Sequence, residues 1–403
     1  MSHAKLAPSP ARLNVGPRTA EELSAFEREL DELRERTRAK VGASDARYIR
    51  RVLWSVRLLE LAGRALLLAG GWFWPTWWLG SACLGLAKIL DNMELGHNVM
   101  HGQFNFMNDP RFTGQDFEWD NTCPKEEWRH SHNFVHHHYT NVWGMDRDFG
   151  YGLLRLSSDL RWTPQFLTQP LRTLLLALYF EWFVAVHDMQ VDKILIGRKK
   201  WSAVAGQWKL VKAKFGRQLG KDYLAWPLVS ALVGWAFGDP LQWALAVAAG
   251  NFVGNIIRNV WAWAIIFCGH FTDGIYTFSK ESAQNETKGQ WYLRQILGSS
   301  NISGSKLLHL MSGNLSHQIE HHLFPDLPAN RYAEVAPRVR EICAQYNVPY
   351  NTGSFARQFG TVLKRIARYT FPGGSQRAVH IRVEPMVDSM VDPLMSPVAG
   401  QRA

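Results

Sequence analysis

Apolar residues are gathered in three long stretches, 58–90, 171–186 and 223–268, separated by very polar segments. The first stretch divides into two runs, 58–74 and 76–92, on either side of the string WFWPTWW. A helix needs about 20 apolar residues to cross the hydrocarbon core, with about 17 as a practical minimum. Each run therefore predicts a spanning helix, and the Trp-rich break predicts a tight hairpin turn at the membrane interface. Glu60, Arg64, Lys88 and Asp91 stand towards the opposite ends, where long side chains are expected to snorkel. Residues 223–238 and 241–260 repeat the design, with the turn at Gly238-Asp239-Pro240. The remaining run, 171–186, is ambiguous: as a fifth span it would put the histidine clusters before and after it on opposite sides of the membrane, where they could not meet. It reads as an interfacial or re-entrant helix with Glu181 on its polar side. Leu and Phe recur at helical spacing among mixed charges over 20–41, which predicts a solvated amphipathic helix. The expected fold is all-α and integral to the membrane, with four transmembrane helices in two hairpins beneath a helical cap.

Charge orients this scheme. The chain carries 45 Lys and Arg against 35 Asp and Glu, a net +10. The two hairpin turns hold neither Lys nor Arg. The N-terminal segment, the loop 93–222 and the region after 260 hold nearly all of them. The positive-inside rule makes those three cytoplasmic. Mean hydropathy (−0.19) resembles that of a soluble protein only because these polar segments offset the spans. Basic residues without interleaved aromatic motifs predict a face against anionic lipid and exclude a nucleic-acid partner. Cys83, Cys123, Cys268 and Cys343 lie far apart and form no CxxC, which argues against a disulfide framework. No apolar run near the start marks a cleaved signal. The expected organisation is a cytosolic segment 1–55, a membrane domain with its cap over 56–350, and a partly disordered tail over 351–403.

Three histidine clusters carry the chemistry. They are His97-x-x-x-His101, His132-x-x-x-His136-His137, and His317-Gln318-Ile319-Glu320-His321-His322. His residues four apart on a helix share a face, so each cluster aims two or three imidazoles at one point. Imidazole suits iron, zinc, copper and nickel, and one tetrahedral ion takes three or four ligands. Seven or more converging imidazoles exceed one ion, and two metal ions are the economical reading. All three clusters flank the cytoplasmic ends of the spans, and His270 follows the fourth.

The strings NMELGHNVMHGQ, EEWRHSHNFVHHHYTNVWGMDRDFGYG, FCGHFTDG and GNLSHQIEHHLFPDLPANRY resemble the membrane fatty-acid desaturases, within them the bacterial acyl-CoA desaturases. The resemblance runs from about Leu90 to about Tyr350. It implies an all-histidine centre of two iron ions and an oxygen-dependent insertion of a cis double bond into a fatty acyl chain. The ligands it implies are His97, His101, His132, His136, His137, His270, His321 and His322. Gln318 stands where many members have His, and His317 beside it offers an alternative spacing. Ile266 occupies a position that is Asn in stearoyl-CoA-type members. No HPGG string marks a fused cytochrome b5 domain, so the resemblance implies a separate electron donor such as a ferredoxin or flavoprotein reductase. The implied substrate is a fatty acyl chain, carried as a CoA thioester.

Independently of the resemblance, no side chain is basic enough to take hydrogen from an unactivated methylene, and oxygen activated by metal supplies that power. Glu94, Asp146, Asp148, Asp188 and Glu320 are candidates to orient the imidazoles. Asn314 is a candidate to hold a metal-bound water or to cap a helix, and His187 to support the ligands from behind. A His-box hydroxylase shares the early chemistry and is the nearest alternative. A bis-His haem carrier needs single His residues on facing spans, and a metal transporter needs ligands at mid-membrane. The predicted spans contain no His.

Overall fold

A computed structural model describes residues 11–12, 15–71, 73–187, 189–195, 197–374 and 378–381. Helix α1 (Ala20–Arg38) starts where the Thr19 side chain accepts a hydrogen bond from the backbone of Glu22. Its inner stripe of Leu23, Phe26, Leu30 and Leu33 packs against later cap helices, and its outer face stays polar. Helix α2 (Ala43–Gly70) ends where Gly71 turns the chain with φ 48°. Pro75 in the first turn then opens α3 (Trp74–Ile89). The two form an antiparallel hairpin so close that a Cβ on Gly63 would meet the Gly80 carbonyl oxygen at 2.9 Å. Without stopping, α3 continues through a π-helical turn, Leu90–His97, to Met100.

The apolar run 171–186 forms two short helices, α4 (Gln169–Leu178) and α5 (Phe180–His187), broken at Tyr179. Glu181 does not face a polar surface. It is buried against Arg258, because a carboxylate enclosed at that depth requires a charged partner.

The second hairpin repeats the first. Helix α6 (Ala205–Gly220) passes through a π turn, Lys221–Ala225, into α7 (Trp226–Ala236). Asp239 caps α8 (Pro240–His270), the one helix among the described residues long and apolar enough by itself to cross a membrane. Between the hairpins runs a buried polar seam. Arg64 and Lys88 do not snorkel: both are buried on Asp222, at 3.1 and 3.0 Å. Asn251 joins them, accepting from Arg64 at 2.5 Å and donating to the Asp222 carbonyl at 2.5 Å. Satisfied pairs of this kind fix helices relative to one another where apolar contacts alone are permissive.

The cap is completed by α9 (Lys288–Leu297), α10 (Gln318–Leu323), α11 (Tyr332–Gln345) and α12 (Phe355–Thr370). Two short parallel pairings tie it together. Asn301–Ser303 runs in register with Thr352–Ser354, and Ala11–Arg12 with Val379–His380. The expected disordered tail lies, beyond Ile381, outside the described residues.

Candidate metal centre

Four segments meet above the hairpins. His97 and His101 come from the extension of α3, His132, His136 and His137 from a π-helical turn (Arg129–His136) and the residue after it, His270 from the end of α8, and His321 and His322 from α10. The ring nitrogens gather in two foci. His97, His101, His132 and His321 form one, each offering a nitrogen within 4.8 Å of the others. His136, His270 and His322 form the second at the same spacing, and His137 lies between, grouped with His321 and His322. Adjacent residues of α10 point roughly 100° apart, so His321 and His322 serve different foci.

On six of the eight rings Nδ1 faces a polar neighbour outside the foci, while His137 Nδ1 is buried without a hydrogen-bond partner. His97 Nδ1 lies 3.0 Å from Asn98 Oδ1. His136 Nδ1 lies 3.1 Å from both Asp146 carboxylate oxygens. His270 Nδ1 meets the Gly298 carbonyl at 3.1 Å, His322 Nδ1 the Gln295 Oε1 at 3.0 Å, and His321 Nδ1 the Tyr332 hydroxyl at 3.3 Å. Asp148 sits 3.6 Å from His132 Nδ1 and 3.3 Å from His187 Nε2. Trp128 stacks on the His132 ring at 4.5 Å.

Those outer contacts put the proton on Nδ1 of each ring facing an acceptor and leave its Nε2 as a bare lone pair. Nε2 of His97 then faces Nε2 of His132 at 3.2 Å, and Nε2 of His322 faces Nε2 of His270 at 3.1 Å. Two lone pairs opposed at that distance repel unless a cation lies between them. Nitrogens about 2.1 Å from a shared ion stand roughly 3 Å apart. The Nε2 atoms of His101, His137 and His321 are buried with no hydrogen-bond partner. This donor set fits metal ions at both foci.

Electrostatics keep the rings neutral and ready to ligate. Burial, reinforced by neighbouring imidazoles, holds His101, His137, His270, His321 and His322 well below the usual histidine range. His97 is pulled down to about 3 by burial and by His132. His136 is the exception. Burial lowers it, but the carboxylates of Asp146 and Asp148 outweigh that and raise it.

Gln318 enters the second focus. Its Nε2 lies 2.9 Å from His270 Nε2, and its Oε1 is buried without a partner. Gly269 makes the room: a Cβ there would meet the Gln318 side chain at 3.0 Å. His317 turns away, stacks on His309 at 4.7 Å, and joins neither focus. Asn314 stands at the N-cap position of the short turn Leu315–His317, but its side chain makes no capping bond and does not join the foci. Its amide donates to Glu94 Oε2 at 2.8 Å and to the Tyr48 hydroxyl at 3.3 Å. Glu94 is likewise one step removed, and burial lifts its carboxyl to about 8. Glu320 accepts from Tyr350 and Asn301 rather than from a ring of either focus. Asp188 lies outside the described residues.

A cavity opens beside the foci. His97, His132, His136, His270 and Gln318 form its upper wall, and Met93, Phe180, Ala262 and Ile266 its apolar flank. Sequence reading missed Asn98, Gln295, Tyr332 and the Gly298 carbonyl. Only Asn98, adjacent to His97, carried a local signal.

A fatty acid desaturase family model matches residues 72–354. The chain is 46% identical over 353 residues to the NADPH-dependent stearoyl-CoA 9-desaturase of Mycobacterium tuberculosis, covering 88% of this chain and 79% of that protein. It is 23% identical over 292 residues to the sn-1 linoleoyl-lipid 6-desaturase of Synechocystis, covering 68% and 75%.

Proposed function

This chain belongs to the fatty acid desaturase family, and from that membership we propose that it inserts a cis double bond between C9 and C10 of an acyl chain carried by coenzyme A. The observation that carries the metal assignment is the pair of opposed Nε2 contacts, one in each focus. His97, His101, His132, His137 and His321 would hold one iron ion, and His136, His270, His322 and Gln318 the other. Two iron ions there would supply the oxygen-activating chemistry that an unactivated methylene demands. Each turnover removes two hydrogens from the acyl chain and, with two electrons and two protons, reduces O2 to two waters. The protein's own part is to orient the rings through Asp146, Asn98 and Gln295 and to hold the chain in the adjoining cavity.

The substrate and donor follow from the mycobacterial relative, which is named for stearoyl-CoA and NADPH. Electrons would pass from NADPH through a separate flavoprotein reductase or ferredoxin. The membrane domain would be 56–350, flanked by cytosolic segments 1–55 and 351–403. Its two hairpins would cross the inner membrane as four spans, with the cap in the cytoplasm. Leu58 and Leu61 on α2, Leu228, Leu232 and Trp235 on α7, and Leu241, Leu245 and Phe252 on α8 support this. All are large, apolar and exposed at helical spacing, a belt that suits lipid and not water.

The decisive test is product analysis. Membranes bearing the protein, supplied with stearoyl-CoA, NADPH and a reductase, should yield an acyl chain lighter by two hydrogens. A product heavier by one oxygen would make the protein a hydroxylase.

A further inference from the structure

Trp128 lies against three of the imidazoles that build the first focus. It stands four residues before His132, and the turn that joins them stacks the indole on the His132 ring at 4.5 Å, with the planes 24° apart. The same indole meets His97 at 5.4 Å and His101 at 5.6 Å, both edge to face. Trp119 continues the line of rings, 5.4 Å from Trp128. Gly96 lets it approach: a Cβ there would stand 3.2 Å from the Trp119 Cβ. Both indoles are buried, and Trp119 Nε1 donates to the Cys123 carbonyl at 2.7 Å. Trp119 is also a shared wall. It lines the cavity beside the foci and a second, outer pocket that includes Arg57, Asp120, Arg217 and Lys221. Arg57 and Arg217 are exposed, so small solutes reach that pocket. The rings are thus continuous from an open pocket to His132.

We infer that Trp128 and Trp119 form a relay that returns electrons to the first focus when oxygen has been activated and no acyl chain is present. This rests on the desaturase reading above and adds a protective function to it. Indole is the aromatic side chain that gives up an electron most readily without also losing a proton. During desaturation, O2 takes two electrons and two protons from outside and two hydrogens from the acyl chain. Without the chain those two hydrogens are missing, and the oxidising power falls on the nearest side chains, the histidines among them.

The relay supplies the difference. One electron leaves the Trp128 indole for the first focus, and one from Trp119 restores Trp128. A small one-electron reductant, such as ascorbate or a thiolate, restores Trp119 from the outer pocket. Exposed Arg57 and Arg217 favour such an anion there. Two passages, with two protons from solvent, complete the reduction of O2 to two waters. Trp119 keeps its own proton throughout, because the Cys123 carbonyl that holds the N–H is too weak a base to take it. Two rings present only to fill space would pack in the same way and carry no unpaired electron.

The experiment uses the full chain, purified in detergent and loaded with ferric iron. Hydrogen peroxide, which is O2 with two electrons and two protons already added, is mixed with it in the absence of acyl-CoA. Electron paramagnetic resonance of freeze-quenched samples reads the radical, and peptide mass spectrometry reads the oxidised residues. The native protein should give an organic radical whose spectrum narrows when its tryptophans are ring-deuterated, and ascorbate should quench it. Trp119→Phe should keep the radical on Trp128, slow its quenching by about fivefold or more, and raise oxygen incorporation at Trp128 by about threefold or more. Trp128→Phe should lower the tryptophan radical by about tenfold or more and shift oxidation to His97, His101 and His132. Iron content is measured on each variant, because Trp128 packs on those rings. Trp119, whose ring meets Trp128 instead, serves should Trp128→Phe lose iron. A radical insensitive to tryptophan deuteration, such as one on Tyr332 beside His321, overturns the inference. So does a Trp119→Phe protein whose radical lifetime and oxidised residues match the native ones. Olefin formation from stearoyl-CoA is assayed separately. Its absence from the native protein would sink the desaturase reading, while the peroxide experiment, which uses no acyl substrate, still judges the relay.

Discussion

Nε2 of His97 and Nε2 of His132 face each other at 3.2 Å, while Nδ1 of His97 is held by Asn98 and Nδ1 of His132 faces Asp148. The same opposition recurs between His270 and His322. The arrangement suits two cations, each held by its own set of lone pairs. The protein is expected to purify with two irons per chain when iron is supplied anaerobically. His97→Ala and His270→Ala should each lower that ratio towards one, through different foci. Iron determination against protein concentration checks this, and a native protein holding a single zinc would contradict it.

Gln318 and His317 separate the two ways of completing the third cluster. Gln318 touches His270, and its carbonyl oxygen has no other partner; His317 stacks on His309, away from both foci. Gln318→Ala should lower desaturase activity by about tenfold or more, in the range seen when groups around a metal are lost. His317→Ala should cost a few-fold at most. Rates on stearoyl-CoA at matched iron content decide it, and the reverse order would move the ligand role to His317.

Much of this was legible because periodicity and local spacing record it. The two hairpins, the turns at Pro75 and Asp239, and the three clusters all follow from neighbours within one or two helical turns. The second cluster shows where such reading stops. On an α-helix His137 would lie roughly 140° round from His132, off its face. The segment instead forms a π-helical turn, Arg129–His136. At about 4.4 residues per turn, His136 and His137 fall roughly 30–50° to either side of His132. Nothing in the spacing announces that widening; convergence of the rings rewards it. The outer partners were hidden for another reason. Gln295 and Tyr332 reach His322 and His321 from separate cap helices, and only the folded chain brings them together. Arg64, Lys88 and Glu181 misled by their chemistry: long charged side chains in apolar runs suggest snorkelling, but each has a buried partner of opposite charge on a distant helix.

Acid should unfold the iron-free protein from a fixed starting point. Unfolded histidine titrates near 6.5. Burial holds His101, His137, His270, His321 and His322 well below that, and His97 at about 3. Below about pH 6.5 the unfolded chain takes up protons that the folded chain refuses, so stability falls as pH falls. Each such group costs at most about 1.4 kcal/mol per pH unit. His136 acts oppositely: its raised pKa stabilises the fold at low pH, a contribution lost as pH rises through its folded value. It is one ring against seven, because burial lowers His132 as well. The melting temperature of iron-free protein in detergent should drop steadily from pH 7 to pH 5.5, and bound iron should delay the drop to lower pH. A flat profile for the iron-free protein would mean these rings are not buried neutral.

Sidedness follows from where the hairpins put their ends. Helix α3 leaves its turn at Trp74 and delivers His97 from its far end; α8 leaves its turn at Pro240 and delivers His270 from its far end. Both histidines help build the same centre, so the cap lies on one side of the hairpins and both turns on the other. The turns contain no Lys or Arg, whereas the cap and the N-terminal segment hold nearly all of them, so the cap is expected in the cytoplasm. Single cysteines in a background lacking Cys83, Cys123, Cys268 and Cys343 would report this. Phe73→Cys and Phe237→Cys, both at exposed turn positions, should react with an impermeant maleimide on spheroplasts. Arg161→Cys and Ala333→Cys, exposed on the cap, should react only after the membrane is opened. Reaction of Arg161→Cys alone from outside would split the cap across the membrane and break the geometry of the centre. Reaction of both cap sites, with both turns silent, would keep the centre and invert the protein.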